Sequence, residues 1–423
     1  MENIKKNIKN PSYLQSSFTL LMFFAAWGIW WSFFQLWLTK SGGLHLSGAQ
    51  VGTVYSANSL TTLILMFLYG SLQDKLVIKR YLLIFCAILA ALVGPFFVWV
   101  YAPLLQNYFW LGIVVGSIFL SAGFLSASGI YEAVAEKLSR RFDFEYGQAR
   151  AWGSFGYAIV AFIAGQSFTI NPQINFWLGS AFGIVLLLEL LFWVPKAERE
   201  ADNKIVLRGE GSDTPSVKEM FGLLKIKELW FIIILIMFTY TFYTVFDQQM
   251  FPDFYTGLFS TSAAGERMYG ILNSVQVFGE ALMMAIVPIL MNKIGVRNAL
   301  LLGVLVMFVR IGGCGLAHDP ITVSCIKMLH SLEVPLFTLP IFRYFTLHFD
   351  TKLSATLYMI GFQVAAQIGQ VILSQPLGKL RDIIGYNHTF LIISSIVFVA
   401  AIYGFFVLKK DNEDVNGDPF IRS

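Results

Sequence analysis

The sequence predicts an all-α membrane protein of twelve spanning helices, and three observations lead there. Of its 423 residues, 56% are hydrophobic and 16% aromatic but only 13% charged, a balance that excludes an ordinary soluble globule. Apolar runs of about 20 residues, the length needed to cross the hydrocarbon of a bilayer, recur along the whole chain. Lys and Arg collect in alternate connections between those runs, as they do on the cytoplasmic side of polytopic proteins.

The runs fall at 17–39, 48–72, 80–102, 109–136, 148–168, 174–194, 228–251, 266–291, 298–316, 320–344, 354–376 and 387–408. The first opens near Ser17 and lacks a small-residue cleavage pattern, so it reads as a retained span. An even number of spans puts both termini on one side. Lys5, Lys6, Lys9, Lys75, Lys79, Arg80, Lys137, Arg140, Arg141, Lys293, Arg297, Lys409 and Lys410 make that side cytoplasmic, in the inner (plasma) membrane. Connections such as Ala102 to Tyr108 and Ser167 to Gln173 carry neither Lys nor Arg; Lys379 and Arg381 are the exception in the last outer loop.

Between Pro195 and Lys227 the composition turns to charged residues, Gly and Ser, with no run long enough to span. The expected organisation is therefore a six-helix bundle over 1–194, a cytoplasmic linker over 195–227, a second six-helix bundle over 228–408 and a tail over 409–423. The halves echo each other: Asp74-Lys-Leu-Val-Ile-Lys-Arg-Tyr-Leu-Leu-Ile84 follows span two, and Asn292-Lys-Ile-Gly-Val-Arg-Asn-Ala-Leu-Leu-Leu302 follows span eight. Such equivalence marks an internal repeat. Gly70-Ser-Leu-Gln-Asp74-Lys75 is likewise echoed by Gly378-Lys-Leu-Arg-Asp382 after span eleven.

Composition also excludes function classes. The net charge of +4 implies no nucleic-acid partner. Cys86, Cys314 and Cys325 stand singly in apolar runs, with neither metal-ligand nor disulfide spacing, and read as small buried hydrophobes. The chain has no metal-ligand cluster, nucleophile elbow or phosphate loop, so an enzyme is not expected and no cofactor beyond a coupling proton is called for.

What remains are charges at membrane depth. Lys327, His330 and Glu333 recur every third residue within the otherwise apolar stretch Ile321 to Tyr344, which puts them on one helix face. An ionisable group there costs at least ~2.5–3.5 kcal/mol for Lys, Arg or Asp on insertion scales and marks a pathway or relay. Arg310, Asp247, Glu280, Glu132 and Arg150 lie in other spans. Arg150, Arg310 and Lys327 face four carboxylates, Glu132, Asp247, Glu280 and Glu333, so one carboxylate is in excess. A carboxylate without a cation in hydrocarbon holds a proton, which is what a proton-coupled carrier needs. Glu333 is the candidate, because on its own stripe Lys327 is two turns away and only His330 is near. Near the other end of the chain, Trp152 and Tyr157 follow Arg150. An aromatic ring beside an Arg–carboxylate pair can stack on a sugar while the charges bind its hydroxyls.

Three motifs carry a resemblance over essentially the whole chain: Phe144-Glu-Tyr-Gly-Gln-Ala-Arg-Ala-Trp-Gly-Ser-Phe-Gly-Tyr157, Val245-Phe-Asp-Gln-Gln249 and Lys327-Met-Leu-His-Ser-Leu-Glu-Val-Pro335. The chain resembles the oligosaccharide/proton symporters of the major facilitator superfamily. That resemblance implies two six-helix bundles around a central polar cavity, working as a monomer by alternating access on a small sugar. It makes Glu132 and Arg150 the sugar-binding pair, Tyr157 the stacking ring and His330 a residue tied to sugar recognition. Glu333 becomes the proton carrier, Arg310 the arginine that drives its deprotonation, and Lys327 with Asp247 a charge pair between spans ten and seven.

Departures from the lactose-carrying members narrow the cargo. Tyr157 stands for a Trp, Ser154 for a Cys, and Thr244 with Ala366 for a second Asp–Lys pair. Gln276, Val277 and Glu280 stand where those members have a Gly, a sugar-binding Glu and an Asn. With Trp30-Trp-Ser and Gly52-Thr-Val-Tyr-Ser-Ala-Asn58, these substitutions resemble the sucrose-carrying members, and Gln276 and Glu280 are the expected specificity positions. A galactoside symporter is the alternative within the family. A sugar sensor without transport is the alternative outside it, disfavoured by the intact Arg310, Lys327, His330 and Glu333 set.

Overall fold

The computed structural model describes residues 10–40, 43–75, 80–195, 222–350 and 354–417; the side chains of 70–79 and most of the expected linker lie outside the described residues. The side chains of the motif Gly70 to Lys75, and Lys5, Lys6 and Lys9, fall there too.

The described chain is helical throughout. Its elements are α1 (Pro11–Thr39), α2 (Gly48–Lys75), α3 (Arg80–Ala91 with Val93–Asn107), α4 (Phe109–Phe142), α5 (Tyr146–Phe168), α6 (Pro172–Phe192), α7 (Lys227–Gly257), α8 (Ser262–Ile294), α9 (Val296–Leu316) and α10 (Pro320–His348). The last helical stretch, Thr356–Val407, is divided at Gly385 into α11 (356–384) and α12 (386–407). Gly385 has φ +78°, a left-handed conformation that glycine adopts without a Cβ clash. Among the described residues nine helices are long and apolar enough to span, or ten with α3, whose two parts meet at 49°. Pro95 accounts for that bend, since it offers no N–H to the preceding turn. Helix α5 has the length of a span but carries Gln148, Arg150 and Gln166. With the break at Gly385, these helices make up the twelve expected segments.

Helices outrun the apolar runs that announced them. Helix α1 starts at Pro11 rather than near Ser17, because Asn10 Oδ1 accepts from Ser12 N at 3.0 Å and Tyr13 N at 3.4 Å and proline suits the first helical position. Helices α4, α7 and α10 continue to Phe142, Gly257 and His348. Their last turns need backbone hydrogen bonds, not apolar side chains. Cys86 and Cys314 are buried as expected, whereas Cys325 is exposed on α10, which corrects that part of the reading.

The chain divides into two compact units, one of Met1–His45, Leu60–Thr214 and Glu266–Ser274, the other of Leu46–Ser59, Pro215–Gly265 and Val275–Ser423. The first turns of α2 thus group with the second half of the chain, and Glu266–Ser274 of α8 with the first half. Close glycine packing explains the exchange. A Cβ on Gly52 would lie 2.7 Å from Gln375 Cα, and one on Gly270 would lie 2.7 Å from Gly165 Cα.

In the first unit α1 packs along α5 and α6, and α6 along α3. In the second, α9 packs against α10 and α12. The exceptional Arg381 is neutralised within that second unit: it reaches Asp382 at 3.0 Å and Asp253 at 3.7 Å and donates to the Tyr386 hydroxyl. Asp382 also accepts from Gly48 N at 2.8 Å and Ala49 N at 2.9 Å, capping α2.

Candidate functional site

Two groups of charged side chains stand out, one in each unit. In the first unit, Arg150 near the start of α5 donates from Nε to Glu132 Oε1 of α4 at 2.6 Å. Its Nη1 donates to Ser154 Oγ at 3.2 Å, one turn along α5. Both partners of the ion pair stay partly open, at 31% and 35% side-chain exposure. Tyr157 lies one turn beyond Ser154, and its ring packs on Gly28 of α1, where a Cβ would come within 2.7 Å of Tyr157 Cδ2. Ser32 Oγ is 3.3 Å from the Tyr157 hydroxyl. Glu132, Arg150 and Tyr157 are therefore brought to one side of this unit, as expected. Trp152 is not: it is exposed, with Nε1 donating to the Tyr13 hydroxyl at 3.2 Å. The ring that meets the guanidinium is Phe24 of α1, 4.2 Å from Arg150 Cζ, and nothing in the spacing around Arg150 signals it.

In the second unit the stripe on α10 converges on α7 and α9. Three amides in this stretch, of Leu329, Ser331 and Leu332, bond three residues back, to Ile326 O, Met328 O and Leu329 O, at 3.1 Å each. That tighter winding eclipses residues three apart, so Lys327, His330 and Glu333 line up more closely than in an ideal α-helix. Lys327 donates to Asp247 Oδ1, and His330 Nδ1 lies 3.4 Å from the same oxygen. Asp247 sits in a π-helical turn of α7, Val245–Met250, a wider winding that often marks functional positions. Arg310 of α9 donates to Asp247 from Nη1 at 3.0 Å, to Glu333 Oε1 from Nη2 at 3.1 Å and to Glu333 Oε2 from Nε. The Arg310 and Glu333 side chains are 0% and 1% exposed.

This arrangement corrects one expectation about Glu333. It does not stand without a cation, because Arg310, 23 residues earlier and on another helix, grips both of its oxygens. Arg150 holds Glu132, and Arg310 and Lys327 hold Asp247 and Glu333; the fourth carboxylate of the count is Glu280. Its Oε2 lies 3.9 Å from His330 Nε2, and its side chain is partly open. Gln276, one turn earlier on α8, is buried; its backbone carbonyl accepts from Ser331 Oγ at 3.0 Å and its side-chain oxygen has no partner among the described residues. Tyr243, which the sequence did not single out, lies with its hydroxyl 3.4 Å from His330 Nε2 and its ring 5.4 Å from Arg310 Cζ. At the positions of the absent second pair, the Thr244 hydroxyl is turned back onto Tyr240 O at 2.8 Å and Ala366 is buried, so no charge is left over there.

The family described as LacY proton/sugar symporter matches residues 5–417. The chain belongs to that family. A symporter of this kind moves a sugar together with protons, and among relatives the sucrose permease of Escherichia coli is 42% identical over 409 residues, covering 96% of each chain. The lactose permease of Klebsiella oxytoca is 36% identical over 378 residues, covering 89% of this symporter and 90% of the relative. The raffinose permease of Escherichia coli is 34% identical over 402 residues, covering 95% and 94%. The symporter also shares its fold with the crystal structure of the nucleoside transporter NupG, with TM-score 0.78 at 16% identity over 94% of this chain and 99% of that one. The xylose transporter XylE of E. coli aligns with TM-score 0.67 at 14% identity, over 96% and 97%. The fold is that of the major facilitator transporters.

Proposed function

We propose that this symporter takes up sucrose with protons across the inner membrane, with both termini cytoplasmic, as one self-sufficient chain. Greater identity to a sucrose permease than to the lactose and raffinose permeases supports sucrose, as does the uncharged Thr244 and Ala366 combination. Lys137, Arg140, Arg141, Lys293, Arg297, Lys409 and Lys410 support the orientation.

The observation that carries the mechanism is the two-pronged grip of Arg310 on Glu333. Glu132 and Arg150, partly open and held to each other, hydrogen-bond sugar hydroxyls, and Tyr157 offers its ring to a sugar face. Gln276, Glu280 and His330 complete recognition in the second unit. Glu333 alternates between two partners, a proton and Arg310. When Glu333 is protonated, Arg310 keeps Asp247 and releases Glu333; when Arg310 returns, the proton leaves. Breaking a buried pair costs about 3–5 kcal/mol, so proton binding and the movement of Arg310 cannot occur separately. Lys327 holds Asp247 in place through the exchange, so that Arg310 always has one fixed carboxylate.

Glu333→Gln tests this assignment. The amide imitates the protonated acid, so proton-driven accumulation fails while sugar exchange across the membrane persists; loss of exchange as well would count against a purely proton-carrying role. The cargo is tested by uptake of radiolabelled sucrose, lactose, melibiose, maltose and raffinose in cells lacking other permeases. Preference for a galactoside would overturn sucrose. Alkalinisation of the medium on adding sugar to de-energised cells separates symport from sensing.

A further inference from the structure

The Glu132–Arg150 pair is half-open, yet the guanidinium is held on three sides. Glu132 takes its Nε and Ser154 its Nη1. The third constraint is the Phe24 ring, whose centroid lies 4.2 Å from Cζ. Phe24 itself cannot drift. It is buried, packed edge-on against Phe23 at 5.3 Å and tilted against Trp27 at 6.0 Å. On its other side is Gly153 of α5, where a Cβ would lie 2.7 Å from Phe24 Cδ2 and 3.2 Å from Arg150 Nη1. An arginine on a half-exposed surface would otherwise sample several rotamers, and each would aim its donors differently.

We propose that Phe24 is a positioning residue for sugar binding: its ring, seated against Gly153, fixes the plane of the Arg150 guanidinium through a cation–π contact. It need not touch sugar. The ring attracts the cation electrostatically, so the contact depends on the electron density of the ring face rather than on its bulk alone. Ser154 and Glu132 set the in-plane rotation, and Phe24 removes the remaining tilt. The proposal rests on the reading that Arg150 grips the sugar.

The experiment replaces Phe24 in the full-length symporter by mono-, di- and trifluorophenylalanine, which weaken the ring face stepwise at nearly constant size. Equilibrium binding of sucrose and the KM of uptake are then measured. The expected result is a graded loss of affinity along the series, reaching roughly 3- to 30-fold at the weakest ring, with the maximal transport rate nearly unchanged. Phe24→Tyr should keep affinity within about twofold and Phe24→Leu should fall at the weak end of the series. Gly153→Ala, which pushes the ring away, should also weaken binding. Equal affinity across the fluorinated series would overturn the proposal, as would full affinity in Phe24→Leu. Arg150→Lys is measured alongside: unchanged binding there would remove the reading of Arg150 itself, whereas lost binding there with a flat fluorine series would remove only the role of Phe24.

Discussion

The two charged groups of this symporter use the same chemistry under opposite conditions. Glu132 and Arg150 form one ion pair with about a third of each side chain open, steadied by a hydroxyl and a ring. Asp247, Arg310, Lys327 and Glu333 form a closed set in which the arginine is fully buried and the most open member is 15% exposed. An open pair can trade its partner for a sugar hydroxyl at little cost, because water screens what is left behind. A closed set cannot lose a member without stranding a charge. The difference assigns binding to the first group and an all-or-none exchange to the second.

Four substitutions bear on that contrast, beginning with the largest expected effect. Arg310→Ala leaves Glu333 and Asp247 buried with one cation between them, so thermal unfolding in detergent should report a loss of about 3–5 kcal/mol, together with failure of accumulation. Adding Glu333→Gln should recover much of that stability, since the stranded carboxylate is removed; no recovery would mean that the pair is not the source of the loss. Glu132→Gln should behave in the opposite way. Its stability change should stay below ~1 kcal/mol, as for exposed pairs, while sucrose affinity measured by equilibrium binding falls roughly 10- to 100-fold through loss of a charged hydrogen-bond partner. If it destabilised the fold as much as Arg310→Ala, the contrast would be gone. The smallest effect is expected from Tyr157→Phe, which keeps the ring on Gly28 and loses the 3.3 Å contact with Ser32 Oγ. Uptake and melting should both move by less than ~1 kcal/mol; a large loss of uptake would make the hydroxyl, rather than the ring face, the sugar contact.

Much of this was legible in the chain, and the failures are instructive. Helical periodicity placed Lys327, His330 and Glu333 on one face, and the tightened turn around Leu329 strengthened that alignment without changing it. Counting charges named Glu333 as the carboxylate without a cation, because spacing along α10 sees only neighbours on α10. Arg310 reaches Glu333 from α9 instead. The ring beside Arg150 was sought at Trp152 and Tyr157 on the same helix, and the one over the guanidinium lies on α1, at Phe24. Arg381, an exception to the loop-charge pattern, found its carboxylates on α7 and next to itself.

By itself the sequence determined that this chain crosses a bilayer repeatedly, because burying backbone in hydrocarbon leaves helices as the economical solution for long apolar runs. It also determined which residues carry charge at membrane depth and which helix faces they share, since both follow from local spacing. Only the tertiary structure decided which cation meets which carboxylate, which ring lies under Arg150 and which pair stays open. Those outcomes depend on contacts between helices far apart in the chain, and they hold because an ion in a low-dielectric interior must be matched within a few ångströms or not be there at all.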